Sequence, residues 1–175
     1  MEFILGELFF TYKDYKDYID IELIPFGNSW YISGKLHCQH GKSECDANAL
    51  ENCVVKYVEN PFLTIHCITK ELYEDRTLEQ AKDLCFTITG VNNTVQSKIR
   101  HCYTSSERDF LLKQAFNKTK STFPENKWEY GFIPYIGFDD FYASNLQFYQ
   151  KDLSFAICNF LSAKNLENLN NLCKS

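Results

Sequence analysis

Sixteen residues constrain this chain more than any other stretch: Cys38-Gln39-His40-Gly41-Lys42-Ser43-Glu44-Cys45-Asp46-Ala47-Asn48-Ala49-Leu50-Glu51-Asn52-Cys53. From Glu44 onward, Cys45, Ala49, Cys53, Val54, Tyr57 and Val58 fall on one helical face. On such a helix Cys45 and Cys53 are separated by a rise of about 12 Å. A disulfide needs Cα atoms within roughly 7 Å, so these two cannot bond each other while helical. Each must reach another segment, such as the helix carrying Cys67 or the loop carrying Cys38. A chain built this way folds as a cross-linked body.

The cysteine count supports that reading. Eight cysteines, Cys38, Cys45, Cys53, Cys67, Cys85, Cys102, Cys158 and Cys173, are an even number and many for a reduced cytosolic domain. All eight are expected to be paired, with Cys158 stapling the tail through Cys173. Two sequons, Asn92-Asn93-Thr94 and Asn117-Lys118-Thr119, mark Asn92 and Asn117 as glycosylation candidates and point to the same oxidising route. The competing reading of the cysteines is zinc held by His37, Cys38, His40, Cys45 and Cys53. Their six- and seven-residue gaps are not the short Cys-x2-4-Cys knuckles of zinc ribbons. His37, His66 and His101 have no paired nucleophile in the sequence, and no cofactor motif is present.

Length and composition narrow the class. At 175 residues with 45% hydrophobic and 16% aromatic content, one folded domain is expected. A net charge of −5 argues against nucleic acid or an anionic membrane as partner. No apolar run approaches the roughly 18 residues of a membrane span, and residues 1–7 do not read as a signal peptide.

Periodicity predicts a helix over residues 4–19 with Leu8, Tyr12, Tyr15 and Ile19 on one side, then a half-buried strand over Ile19–Ile24. Trp30 to Leu36 reads as a short strand leading into Cys38. Pro61 suits the first turn of a helix with Phe62, Ile65 and Ile68 or Thr69 inward. Thr77-Leu78-Glu79-Gln80 and Thr104-Ser105-Ser106-Glu107 read as capping boxes. The first opens a helix burying Ala81, Leu84, Cys85 and Ile88; the second opens one burying Phe110, Leu111, Gln114 and Ala115. A short helix with Val95, Ile99 and Cys102 lies between them. Asn117–Lys127 reads as a polar loop and Tyr130–Phe138 as a strand broken by Pro134. Leu146, Tyr149, Leu153, Ala156 and Phe160 trace a last helix. Strand, helical insertion, strand and final helix make an α/β pattern.

The sixteen-residue stretch resembles the signature C-Q-H-G-x2-E-C-x2-N-x4-C of the gamma-interferon-inducible lysosomal thiol reductase (GILT) family. Every fixed position is met, by Cys38, Gln39, His40, Gly41, Glu44, Cys45, Asn48 and Cys53. Similarity extends from Glu7-Leu8-Phe9 through Leu23-Ile24-Pro25-Phe26-Gly27-Asn28 and Phe62–Cys67 to Cys173. The resemblance implies a thioredoxin-like α/β domain over residues 1–175, with a disulfide-stapled helical insertion at about 37–125 by that alignment. It implies reduction of protein disulfides in an endosomal, lysosomal or secreted setting, with disulfide-containing or unfolded proteins as partners. It also implies that Pro134, in Ile133-Pro134-Tyr135, is the cis-proline facing the reactive cysteines.

Thiol-disulfide exchange of that kind uses a Cys-x-x-Cys pair, and no two cysteines here stand at that spacing. By the family's placement the pair and the first strand would precede Met1. The resemblance therefore leaves two expectations: an N-terminally incomplete oxidoreductase, inactive as written, or a non-catalytic binding module of the same family. It further implies an open slot in the sheet between Ile19–Ile24 and the strand carrying Ile133 and Tyr135.

Overall fold

The computed structural model describes residues 2–122, 133–164 and Cys173. It is mixed in architecture, with eight α-helices, one 3-10 helix and two antiparallel two-stranded sheets among the described residues. The chain forms two compact units, Glu22–Ile133 and a second assembled from Met1–Ile21 with Pro134–Ser175.

The unit Glu22–Ile133 begins with a hairpin of β1 (Ser29–Ile32) and β2 (Lys35–Cys38), pairing Ser29 with Cys38 and Ile32 with Lys35. Ser33 and Gly34 between them both have positive φ, 48° and 78°. Two left-handed residues give the turn whose twist matches a two-residue hairpin. Five helices follow: α3 (Lys42–Tyr57), α4 (Phe62–Tyr73), α5 (Leu78–Ile88), α6 (Asn93–Thr104) and α7 (Glu107–Thr122). Their core gathers Leu50, Cys53, Val54, Ile65, Ile68, Ala81, Cys85, Phe86, Ile99 and Cys102, all 0–1% exposed. A buried Leu, Ile or Phe side chain contributes about 1.5–3 kcal/mol relative to an exposed one.

Local signals set the helix starts. Pro61 is the N-cap of α4. Thr77 and Gln80 cap each other at α5, and Asn92 Oδ1 accepts from the Val95 amide at 3.0 Å to start α6. The expected second capping box is not formed. Thr104 ends α6, where its hydroxyl donates to the Arg100 carbonyl at 2.9 Å, and Ser105 caps that end. The hydroxyl that meets the start of α7 is that of Ser105, which accepts from the Glu107 amide at 3.3 Å, while Thr104 stays with the preceding helix.

Two buried stripes are also shifted. On α5, Ala81, Lys82, Cys85 and Phe86 are buried, whereas Leu84 and Ile88 are exposed. On α7, Leu111, Leu112, Ala115 and Thr119 are buried and Phe110 is 59% exposed. Phe86 and Leu112 lie on the core side of the cysteine- and alanine-bearing rows, and packing there overrides the choice by hydrophobicity alone. The polar loop predicted from Asn117 is helix up to Thr122; residues 123–132 lie outside the described residues.

In the other unit, α1 (Glu2–Leu5) and α2 (Glu7–Tyr15) are interrupted at Gly6. Helix α8 (Leu153–Ala163) packs with α2, burying Leu153, Ala156, Ile157 and Leu161. Glu7 Oε1 accepts from the Leu153 amide at 2.7 Å, and Asp152 Oδ1 from the Phe155 amide at 3.3 Å. A glutamate from α2 thus satisfies an orphan donor at the start of α8. Thr11 and Ser154 hydroxyls share a hydrogen bond of 3.0 Å. Leu146 and Tyr149 belong to a separate 3-10 helix, Ser144–Lys151, rather than to α8.

Among the described residues, neither of the long strands expected from the sequence is formed. Ile19–Ile24 joins neither sheet. Its alternation has no partner ladder, and backbone groups need one to make a strand. Ile133–Ile136 is also not a strand; β3 is limited to Gly137–Phe138, paired with β4 (Phe141–Tyr142). Here the reason is visible. Gln147 accepts from the Ile136 amide and donates to its carbonyl, both at 2.8 Å. Gln150 donates to the Pro134 carbonyl. Side-chain amides occupy the groups that a neighbouring strand would use. Among the described residues, neither segment expected to flank the open slot is a strand.

Candidate functional site

Each of the signature residues has a structural task, all within the unit Glu22–Ile133. Glu44, Asn48 and Asn52 stand at i, i+4 and i+8, so they share one face of α3. That face holds the loop Pro25-Phe26-Gly27-Asn28. Asn48 Nδ2 donates to the Phe26 carbonyl at 2.9 Å. Asn52 Nδ2 donates to the Pro25 carbonyl at 2.6 Å and to the Asn48 carbonyl at 2.7 Å. The Ser29 hydroxyl, fully buried, donates to the same Phe26 carbonyl at 2.7 Å. Phe26, 1% exposed, is fixed beneath the loop, its ring 5.6 Å from that of Phe116.

Gln39 closes the other side. Its amide donates to the Asn28 carbonyl at 3.0 Å, and its Oε1 accepts from Asn28 Nδ2 at 2.9 Å. Glu44 reaches back so that its Oε2 accepts from the His40 amide at 2.7 Å, with His40 Nδ1 at 3.3 Å. His40 is itself exposed and works through its backbone, as a turn residue. This arrangement resembles a capping box displaced by one residue.

The two glycines are required for different reasons. Gly41, the N-cap of α3, has φ 86° and ψ −160°, a region essentially closed to other residues. Nothing would crowd a Cβ there. Gly27 has φ 61°, and a Cβ on it would stand 3.2 Å from Glu44 Oε1. One glycine is conformational; the other also makes room for the clamp.

The cysteines complete the frame. Cys38 bonds Cys45, tying β2 to the first turns of α3. Cys53 bonds Cys102 and joins α3 to α6 across 49 residues of sequence, and Cys67 bonds Cys85 to join α4 to α5. In the other unit Cys158 bonds Cys173. The sulfurs required by the zinc alternative are therefore in bridges, and among the described residues no three His, Cys, Asp or Glu side chains converge as a metal site.

Beside the clamp lies an open cleft of about 660 Å³ between the β1–β2 hairpin, the start of α3 and α7. The Cys38–Cys45 bridge lines it, with Lys35, Lys42, Asp46, Arg108 and Lys113 around it. Asp46 accepts from Lys42 and, at 2.6 Å, from Arg108 Nη2. Burial works to raise the Asp46 carboxyl, but these cationic donors outweigh it and hold it below its ordinary range. Lys113 Nζ sits 4.4 Å from the Tyr31 ring centre. A second ion pair, Lys56 with Glu107, connects α3 to α7, and Tyr57 adds a hydrogen bond of 2.8 Å. Hydrogen bonds from Lys56 and then Tyr57 depress the Glu107 carboxyl.

The remaining predicted residues are dispersed. Asn92 is exposed but occupied as the α6 cap, and Asn117 is exposed in mid-helix. Pro134 lies in the other unit, outside any strand. His37 stacks on Trp30 at 6.4 Å. Asn28, Asn52, Arg108 and Lys113 were not singled out as site residues. Asn52 had a legible signal: a polar residue one turn beyond Asn48, on the side that carries Ala49 and Cys53. Arg108 and Lys113 had none, because Asp46 and Tyr31, the cleft residues they meet, are more than sixty residues away in sequence.

The family model for gamma interferon inducible lysosomal thiol reductase (GILT) matches residues 1–89, which contain the loop, the hairpin and the whole clamp. The chain belongs to the GILT family. It is 26% identical over 151 residues to the gamma-interferon-inducible lysosomal thiol reductase of Carassius auratus, covering 83% of this chain and 57% of that protein. With the Mus musculus protein of the same name it shares 27% over 140 residues, 77% of this chain and 53% of that one. A gamma-interferon-inducible lysosomal thiol reductase-like protein of Anopheles gambiae is 27% identical over 186 residues, covering 94% and 73%. The chain thus spans a little over half the length of the first two of these GILT relatives.

Proposed function

We propose that this chain is the disulfide-stapled part of a thiol-disulfide oxidoreductase that reduces protein disulfides along the lysosomal or secretory route. The observation that supports the reading is the clamp: every fixed residue of the GILT signature has a defined partner within the fold. In this reading the two units make one discontinuous GILT-like domain of thioredoxin type. The helical unit is the insertion, Pro134 is the cis-proline beside the reactive pair, and Asn92 and Asn117 carry glycans.

The reactive Cys-x-x-Cys comes from outside these 175 residues, since all eight cysteines here are in bridges and none offers a free thiolate. Residues 1–175 alone are expected to give no catalytic turnover of a disulfide-bonded reporter protein at acidic pH. The same residues joined to a family-type Cys-x-x-Cys segment ahead of Met1 are expected to turn it over. Robust turnover by residues 1–175 alone would overturn the assignment of the pair. Failure of the joined protein to act, if folded, would favour the second reading, a non-catalytic module that binds unfolded or disulfide-containing proteins. That alternative is supported by the sequence itself, in which no two cysteines stand at Cys-x-x-Cys spacing.

A further inference from the structure

The four bridges are not equally placed. Cys53 and Cys102 are both 0% exposed, within the core of their unit. Cys85 is likewise 0% exposed, and its partner Cys67 packs against the same core. Cys38 and Cys45 instead line the open cleft, with Cys38 8% exposed and Cys45 more so. The cleft also carries Lys35, Lys42, Arg108 and Lys113 against two acids, Asp46 and Asp109. This is a local excess of positive charge on a chain whose net charge is −5. Asp46 is engaged by Lys42 and Arg108; Lys35 and Lys113 are exposed cations of the rim, with Lys113 Nζ over the Tyr31 and Phe116 rings. A cleft with a net excess of one sign concentrates ligands of the other.

We propose that the Cys38–Cys45 disulfide is an exchange site for small anionic thiols, separate from any Cys-x-x-Cys chemistry. The incoming thiolate attacks Sγ of Cys45, the more exposed of the two residues. The Cys38–Cys45 bond breaks, a mixed disulfide forms on Cys45, and Cys38 leaves as a thiolate. A second thiol of the same class attacks the mixed disulfide and departs as the oxidised dimer. Two thiols have then given two electrons to the bridge, and their two protons end on Cys38 and Cys45. Opening this bridge removes the covalent tie between β2 and α3, while the Glu44–His40 hydrogen bond and the Cys53–Cys102 and Cys67–Cys85 bridges remain.

Glutathione, net negative, and cysteamine, net positive, are the probes, applied to the folded full chain at matched thiolate concentrations. Free thiols are trapped by alkylation and mapped by peptide mass spectrometry, with near-ultraviolet circular dichroism monitoring the fold. Cys38 and Cys45 are expected to become labelled before Cys53 and Cys102 with the fold retained. Glutathione should be favoured over cysteamine by roughly tenfold relative to the ratio at Cys158–Cys173, with the preference shrinking in high salt. The double variant K35Q/K113Q changes exposed rim residues and leaves the bridge intact, and it should remove most of that preference. The proposal is overturned if Cys38–Cys45 opens only together with Cys53–Cys102. It is equally overturned if glutathione has no advantage over the Cys158–Cys173 reference, or if K35Q/K113Q leaves the preference unchanged.

Discussion

Non-helical backbone is held by side-chain amides in both units, but the amides are anchored differently. In Glu22–Ile133, the loop Pro25–Asn28 is fixed by amides projecting from a helix that is itself locked by disulfides at Cys45 and Cys53. In the unit built from Met1–Ile21 and Pro134–Ser175, the segment Pro134–Ile136 is held by Gln147 and Gln150 from a 3-10 helix, and the bridge Cys158–Cys173 is remote from it in sequence. Amide clamps serve in both units, but only the first is anchored through covalent bonds to the core. The lesson is that a hydrogen bond stabilises a loop only as well as its donor is itself fixed.

The largest test removes that covalent anchor. Replacing Cys53 and Cys102 together by alanine frees a loop of 49 residues, for which chain entropy predicts a loss of about 4 kcal/mol. The same treatment of Cys158 and Cys173 releases a 15-residue loop, worth about 3 kcal/mol by the same relation. Chemical denaturation with hydrogen exchange checks both. The first change should lower amide protection throughout α3 and α6, the second only in α8. Equal, chain-wide losses from both would break the contrast between the units.

Next come the clamp residues. Asn48→Ala leaves the Phe26 carbonyl with the Ser29 hydroxyl as its remaining partner and should cost about 1–3 kcal/mol. Gly41→Ala, which forces a Cβ onto φ 86° and ψ −160°, should cost about the same through backbone strain. In the other unit, Gln147→Ala loses both bonds to Ile136 and should cost about 1 kcal/mol, nearer solvent and with a looser donor. Denaturation midpoints rank the three. A Gln147→Ala cost exceeding that of Asn48→Ala would mean that covalent anchoring is not what separates the two clamps.

Much of the helical unit was legible because its signals are local. The Thr77–Gln80 capping box, Pro61 at the head of α4, and the inward Phe62, Ile65 and Ile68 each depend on a few neighbouring residues. The impossibility of a Cys45–Cys53 bridge followed from helical rise alone. The expectations for strands failed because a strand depends on a partner that no local pattern records. Ile19–Ile24 alternates well and joins no sheet; Ile136 had its backbone taken by Gln147, eleven residues on. The candidate site was half legible. Cys45 and Cys53 stood out by spacing and Glu44 and Asn48 through the resemblance to the GILT signature, whereas the cleft was hidden because Arg108 and Lys113 come from a helix more than sixty residues beyond Asp46 and Lys35.

The smallest expected effect concerns acid. Two cationic donors hold the Asp46 carboxyl below its ordinary range in the folded chain. A depressed carboxyl contributes stability that is present above its unfolded pKa and is lost as pH falls through the folded one. The loss therefore lies below about pH 4, where an unperturbed aspartate titrates. Asp46→Asn should flatten the fall of stability in that acid range. At pH 7 it should cost no more than about 1 kcal/mol, because Lys42 is largely exposed and surface ion pairs contribute little. Thermal denaturation of both proteins from pH 7 down to pH 3 measures the difference. If the two curves stay parallel throughout, the Asp46 link between α3 and α7 is geometric only, and the disulfides and amides of the clamp hold the N-terminal turns of α3 without it.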